Sequence, residues 1–187
     1  MANRNTQGFG LIPAGTLGQT PATAGLGKYK IDAGSATTLY NGSAVASTAG
    51  YIVDGQTTAA PIIGVLNGVF FTDPSTLKPT FKNFHQQVTP ANSEDIDAFV
   101  YDNPQQQYVV ATDDAVTQAG MLETYDMNTS SGSDTTGKSN ATLDIGDTSA
   151  DADTFRLLRV AEDPENEDIT AGFASVVVVP NLIELQS

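Results

Sequence analysis

The sequence predicts an all-β protein: an antiparallel β-sandwich or barrel, entered through an extended N-terminal arm and holding at most one short helix. Three observations carry that expectation. Short apolar runs alternate with turn dipeptides such as Asn41-Gly42, Asp54-Gly55 and Asn67-Gly68, and these signals return roughly every ten residues, as hairpin-connected strands require. No stretch before Thr89 has the helical length, about 10 to 15 residues, that βαβ units place between parallel strands. The 187 residues suit one domain, able to bury roughly 70% of its unfolded surface without a metal or a disulfide.

Residues 1–28 form the arm. The run GFGLIPAGTLGQTPATAGLGK has Gly or Pro every few positions and sustains no strand or helix period, and six of the seventeen glycines fall in this segment. Phe9, Leu11, Ile12, Leu17 and Leu26 make it too apolar for a free linker. Such an arm either lies over its own domain or crosses a neighbour.

Residues 29–187 read as a single β-rich domain. KYKIDAG alternates, ATTLYNG ends in a turn, and GYIVDG is a short strand closed by Asp-Gly. PIIGVLNGVFFTD, residues 61–73, is β-branched and aromatic, with Asn67-Gly68 as a residue pair that tolerates positive φ. Two short buried strands, or one strand with a bulge, both fit it. IDAFVYDNP, QQYVVATDD and FRLLRVAED continue the pattern. Ser175 to Val179 is apolar on both faces and is expected as a central, covered strand that Pro180 ends or marks as an edge. The one candidate helix is Asp114 to Met127, with an aspartate cap and an imperfect stripe of Val116, Met121 and Leu122, weakened by Gly120. Residues 128–153 are small and polar and read as an excursion loop, although ATLDI within them has strand character.

Composition excludes several functions. Without cysteine there is no disulfide framework, thiolate nucleophile or cysteine zinc site. No window reaches the ~18 apolar residues of a membrane span, and MANRNTQGFG lacks the order of a signal peptide, so a soluble chain with no membrane partner is expected. With eight basic residues and a net charge of -14, no nucleic-acid surface is expected either. The charge is unevenly distributed: five basic and three acidic residues precede position 91, and three basic and nineteen acidic follow. That asymmetry suggests a weakly charged docking face and an acidic solvent face, although an acidic solubilising surface explains it as simply.

Catalytic motifs are sparse. His85 is the lone histidine, with no nucleophile elbow near it, and is expected at the surface or on an edge strand. GSDTTGKS, residues 132–139, matches a phosphate-loop pattern formally, but neither an apolar strand before it nor a helix after it is present to converge backbone N–H groups on a phosphate. EDID at 94–97 and EDPENED at 162–168 are carboxylate-rich. With no tryptophan platform and no D-x-[DN]-x-[DN]-G loop they read as solvated turns, the second leaving room for a loose calcium site. No catalytic residue, cofactor or metal ligand is assigned.

The order of segments carries more. GFGLIPAG, YKI, ATTLYNGSAV, PIIGVLNGVFFTD, FVYDNP, TTGKSNATLD and FRLLRVAEDPENE together resemble the small structural proteins of tailed bacteriophages that decorate, or cement, the capsid. The resemblance runs from about Gly8 to Val179 and rests on turn-and-strand signatures. It implies a non-enzymatic virion protein of jelly-roll or β-tulip-like outline, a homotrimer on the outer capsid surface that bridges major capsid protein subunits. Phe9, Leu11 and Ile12 are the expected arm contacts with a partner. A tail or head-fibre component is the alternative within the virion, and an enzyme or carbohydrate-binding module is the alternative outside it.

Overall fold

The structure is a computed structural model that describes residues 3–18, 25–56, 61–128, 132–146 and 154–186. In chain order the strands are β1 (Ile12–Thr16), β2 (Gly27–Ile31), β3 (Ala44–Thr48), β4 (Tyr51–Asp54), β5 (Gly64–Thr72), β6 (Pro79–Lys82), β7 (Ile96–Tyr101) and β8 (Gln106–Ala111). They continue with β9 (Thr124–Tyr125), β10 (Met127–Asn128), β11 (Gly132–Ser133), β12 (Lys138–Ser139), β13 (Thr142–Leu143), β14 (Phe155–Val160) and β15 (Ser175–Pro180). The protein is all-β, as its turn spacing predicts, and its sheets pack as an antiparallel sandwich.

The first sheet has the order β1-β8-β15-β14-β9, and the second β2-β7-β5-β3-β4, with β6 attached to the distal half of β5. β15 lies between β8 and β14, and Ser175 to Val179 are all buried, so this β-branched run is the covered central strand its composition indicates. The inter-sheet core gathers Leu11, Val65, Tyr108, Phe155, Leu157 and Val178, among others. Tyr108 meets Phe155 edge-on at 6.5 Å, a favourable aromatic geometry. The buried Tyr108 hydroxyl donates to the Tyr101 carbonyl at 3.1 Å, and burial pushes its pKa upward.

A second core lies within the curl of the second sheet. Ile31, Val45, Ile52, Leu66, Val69 and Ile96 are among its members. β2 and β4 come near each other at the two ends of the curl without hydrogen-bonding strand to strand, so the sheet does not close into a barrel. The bulge in β5 makes this core possible. Leu66 faces Val100 and Gly68 faces Phe99 on β7, leaving Asn67 as the extra residue. That insertion puts Leu66, Val69 and Phe71 on the core side and turns Phe70 outward. Asn67 is held in place by the Asn41 side chain, which donates to its carbonyl at 2.6 Å, and by the Tyr101 hydroxyl, which donates to its Oδ1 at 3.2 Å.

Several expectations need correcting. No α-helix occurs among the described residues, and the helical part of 114–127 is limited to a 3-10 turn at Gln118–Gly120. Its backbone donors go elsewhere: Val116 N–H to Ile169, Leu122 N–H to Leu157, and β9 pairs with β14. With Gly120 interrupting a weak apolar stripe, tertiary pairing overrides helix propensity. His85 is fully buried rather than exposed. It exchanges both backbone hydrogen bonds with Leu39, and its Nδ1 lies 2.8 Å from the Thr37 carbonyl. Of the polar excursion, residues 132–146 are described: β11 pairs with β12, and β13 pairs with β10.

The arm also belongs to the domain. β1 pairs with β8, from Ile12 opposite Val109 to Thr16 opposite Gln106, through an irregularity between Pro13 and Gly15. Leu11, only 2% exposed, enters the inter-sheet core while its N–H donates to the Gly42 carbonyl at 2.9 Å. A Cβ on Gly8 would sit 2.1 Å from the Asn140 carbonyl oxygen, so only glycine fits where the arm crosses this segment.

Candidate functional site

The face of the second sheet that turns away from its own core divides into two parts. At one end Val65 and Tyr101, directly opposite each other on β5 and β7, face the inter-sheet core beneath the first sheet. Two residues further along β7, and past the β5 bulge, the same face carries Phe99, Asp97, Gly68 and Phe70. Phe70 in turn lies directly opposite Phe81 on β6. Here the first sheet no longer covers it: Phe70 is 40% and Phe81 55% exposed. An apolar strip that starts in the core therefore runs out into solvent.

Local sequence explains how the rings assemble. Phe81 and Phe99 stand 6.1 Å apart with a tilt of 46°, and the Phe81 ring reaches across Gly68 to get there. A Cβ at Gly68 would be 2.5 Å from Phe81 Cζ, so glycine at this position is what lets the two rings meet. Lys28 and Lys30 of β2 lie opposite Phe99 and Asp97, and their Nζ atoms pair with Asp97 Oδ2 at 2.8 Å and Oδ1 at 2.7 Å. Burial opposes ionisation of Asp97, but the two lysines outweigh it and its pKa falls below the usual carboxylate value. Its hydrogen bond raises the pKa of Lys30.

The β5–β6 turn extends this surface. Asp73 Oδ1 accepts the N–H groups of Ser75 at 2.8 Å and Thr76 at 3.0 Å, which lowers the Asp73 pKa. Asp73 N–H donates to the Lys78 carbonyl, and Leu77 N–H to the Asp73 carbonyl. The tip so fixed holds Leu77 at φ +56°, a left-handed conformation unfavourable for a γ-branched residue, with 71% of its surface in water. Beside it, a shallow open depression is lined by Lys30, Phe70, Thr72, Asn92, Glu94 and Asp97, among others.

Of the three arm residues, Leu11 is a core residue of its own domain, because its side chain fills the inter-sheet space, and this corrects its assignment as a partner contact. Phe9 is half-buried, and Ile12 is exposed on β1, an edge strand of the first sheet. Adjacent Phe70 and Phe71 on one strand must face opposite ways, and Phe71 is the buried one; Leu77, Phe81 and Phe99 escape a sequence reading, because an apolar side chain looks the same whether its face is covered or bare. The polar tip around Asp73, interrupted by Leu77, is a further local signal of this surface.

GSDTTGKS forms the β11–β12 hairpin, where Gly137 N–H donates to the Ser133 carbonyl, and the described residues that follow, 140–146, hold no helix to gather N–H groups around an anion. The EDPENED segment connects β14 and β15. Asp163 accepts from Glu165 N–H and Asn166 Nδ2, and Asp168 accepts from the Thr170 hydroxyl at 2.6 Å and the Thr170 N–H, which hold its pKa down to about 2. These two carboxylates are turn-formers, and among the described residues no group of three or more His, Asp or Glu is placed to hold a metal.

No family model, curated protein or solved structure matches this chain.

Proposed function

We propose that this protein is a structural virion component that decorates the capsid of a tailed bacteriophage and stabilises it by bridging major capsid subunits. The observation that carries the reading is the aromatic strip of Phe70, Phe81 and Phe99, an uncovered continuation of the core on a rigid, acidic β-sandwich. The exposed parts of Phe70, Phe81 and Leu77 together leave on the order of 300 Å² of apolar surface in water, the size of the largest apolar patch on a typical monomer, which is often a functional one. It is less than the roughly 800 Å² per partner of a standard stable interface. A contact of that size holds when many copies act on one shell, which is the arrangement of a cement protein. The segment-order resemblance supports the same reading, and adds a homotrimeric arrangement on the outer surface.

Binding to expanded capsids of the phage encoding this chain tests it. Full-length protein is expected to co-sediment with the capsids and to raise their resistance to heat, with Phe81→Ser reducing both. Capsids that neither bind the protein nor gain heat resistance would overturn the assignment. Labelled electron microscopy showing the protein only on tails would move it to the fibre or tail class.

A further inference from the structure

The first sheet differs in charge from the rest of this chain. Its five strands, β1, β8, β15, β14 and β9, contain two arginines and no Asp or Glu, in a protein with 22 acidic residues. Both arginines leave on the face that turns away from the inter-sheet core. Val176 and Val178 enter that core, so Val177 and Val179 point outward. Arg156 lies opposite Val179, and Arg159 opposite Val177. Strict alternation from the buried Leu157 would turn Arg159 inward. The register instead steps from Leu157 opposite Val178 to Arg159 opposite Val177, and Leu158 is the extra residue of a bulge that sends the second arginine out beside the first.

One row of side chains crosses this face. Ile12 of β1 is opposite Val109 of β8, Val109 is opposite Val177 of β15, and Val177 is opposite Arg159 of β14, a span of about 14 Å. Both ends of the row reach solvent: Ile12 is 47% exposed, and Arg159 is exposed as well. Neither arginine is neutralised. Arg156 donates to two uncharged groups, the Leu122 carbonyl at 2.6 Å and Asn181 Oδ1 at 3.3 Å, and Arg159 has no hydrogen bond or ion pair among the described residues. Glu123 and Glu162 stand just beyond the ends of β9 and β14, and neither is ion-paired with either arginine.

We infer that this face is a second docking surface, and that it takes an acidic segment of the major capsid subunit, with carboxylates against Arg156 and Arg159 and apolar side chains against Ile12 and Val109. The inference rests on the function proposed above and adds the chemistry of the partner. The first sheet packs on the same side of the second sheet as the aromatic strip, so its outer face stands one layer, about 10 Å, beyond the strip. A partner seated on the strip reaches this face by one step, which adds contact area where the strip alone falls short of a standard interface. Two uncompensated positive charges select an anionic partner. The apolar half of the row selects a polypeptide over a phosphate backbone, which the net charge of -14 repels.

Arg159→Glu is the decisive variant, because Arg159 has no partner to lose within its own chain. Co-sedimentation of the full-length protein with expanded capsids of the phage encoding it is expected to weaken about tenfold for Arg159→Glu at ~0.1 M NaCl. Arg159→Lys, which keeps the charge, is expected to retain most of the binding, and Ile12→Ser to lose part of it. The gap between wild type and Arg159→Glu should shrink at about 0.5 M NaCl, as screening shortens. Urea midpoints equal to wild type show that the variants are folded. Capsids that bind wild type and release Phe81→Ser, yet hold Arg159→Glu as tightly as wild type, would overturn this inference and leave the proposed function standing. Capsids that fail to bind wild type would overturn both. Equal loss in Arg159→Glu and Arg159→Lys would overturn the acidic chemistry of the partner. Sedimentation velocity showing self-association that Arg159→Glu abolishes, with capsid binding unchanged, would assign the face to a second copy instead.

Discussion

The two cores of this protein differ in what builds them. The inter-sheet core draws on the arm, both sheets and the 116–145 region, and joins residues as distant as Leu11 and Val178. The core within the curl is made almost entirely by one sheet, between Ile31 and Val100. The first holds Tyr108 and Phe155, whose polar atom and ring geometry are both satisfied. At the margin of the second lies His85, buried, with Nε2 lacking any hydrogen-bond partner in the structure. One core is completed by long-range aliphatic and aromatic packing; the other includes a polar group whose neutral form burial favours.

The sharpest way to break the first core is Phe155→Ala. A fully buried ring in edge contact with Tyr108 should cost about 3 to 5 kcal/mol in urea unfolding, close to the whole stability of a marginal domain. Leu11→Ala comes next, at about 2 to 4 kcal/mol, because the arm contributes to the core. Ile12→Ala, one residue away on an exposed position, should change stability by about 0.5 kcal/mol or less. Equal effects at Leu11 and Ile12 would mean that the arm is not part of the cooperative unit.

The second core should be distinguished by pH. Burial lowers the His85 pKa from 6.5, against a smaller raising effect of the bond to Thr37. The unfolded chain therefore binds the proton first as pH falls. The stability that neutral His85 contributes is complete above pH 6.5 and is lost as pH drops through 6.5 toward its folded value. Asp73, Asp97 and Asp168, whose pKa values are lowered, make their contribution above the ordinary carboxylate pKa and lose it only in more acid solution. Urea midpoints at pH 7.5 and 5.5 should fall for wild type and stay level for His85→Gln. The same drop in both proteins would remove His85 as the cause.

A small effect of the opposite sign is expected at Leu77. Replacing a left-handed leucine with glycine relieves backbone strain and should raise the urea midpoint slightly, by roughly 0.5 to 1 kcal/mol of stability. A loss of stability would show that the exposed side chain makes contacts that outweigh the strain.

Strand content was legible in this chain because turn dipeptides and β-branched runs are local signals. The run from Ser175 to Val179 announced a covered strand by being apolar on both faces. The bulge at Asn67 was one of two readings of the same glycine pair, and only register against β7 chooses between them. His85 was misread because a polar side chain gives no local sign of being enclosed by Leu39 and Thr37, some fifty positions away. Leu11 and Ile12 looked equivalent, yet the alternation of β1 against β8 sends one inward and the other to solvent. The aromatic strip was hidden for a related reason: whether a face is covered depends on where the other sheet stops.

The place of β15 in its sheet also bears on how the molecule is made. Every strand of the curled sheet is translated by Tyr101, and its own core is complete in sequence by then. The other sheet has its central strand near position 180, so β8 waits for its partner through some seventy further residues of synthesis. On the ribosome the curled sheet can assemble first, while β1 and β8 stand as a two-stranded ribbon with an open edge. Shielding that edge during translation is a demand on the cell that the finished fold no longer displays.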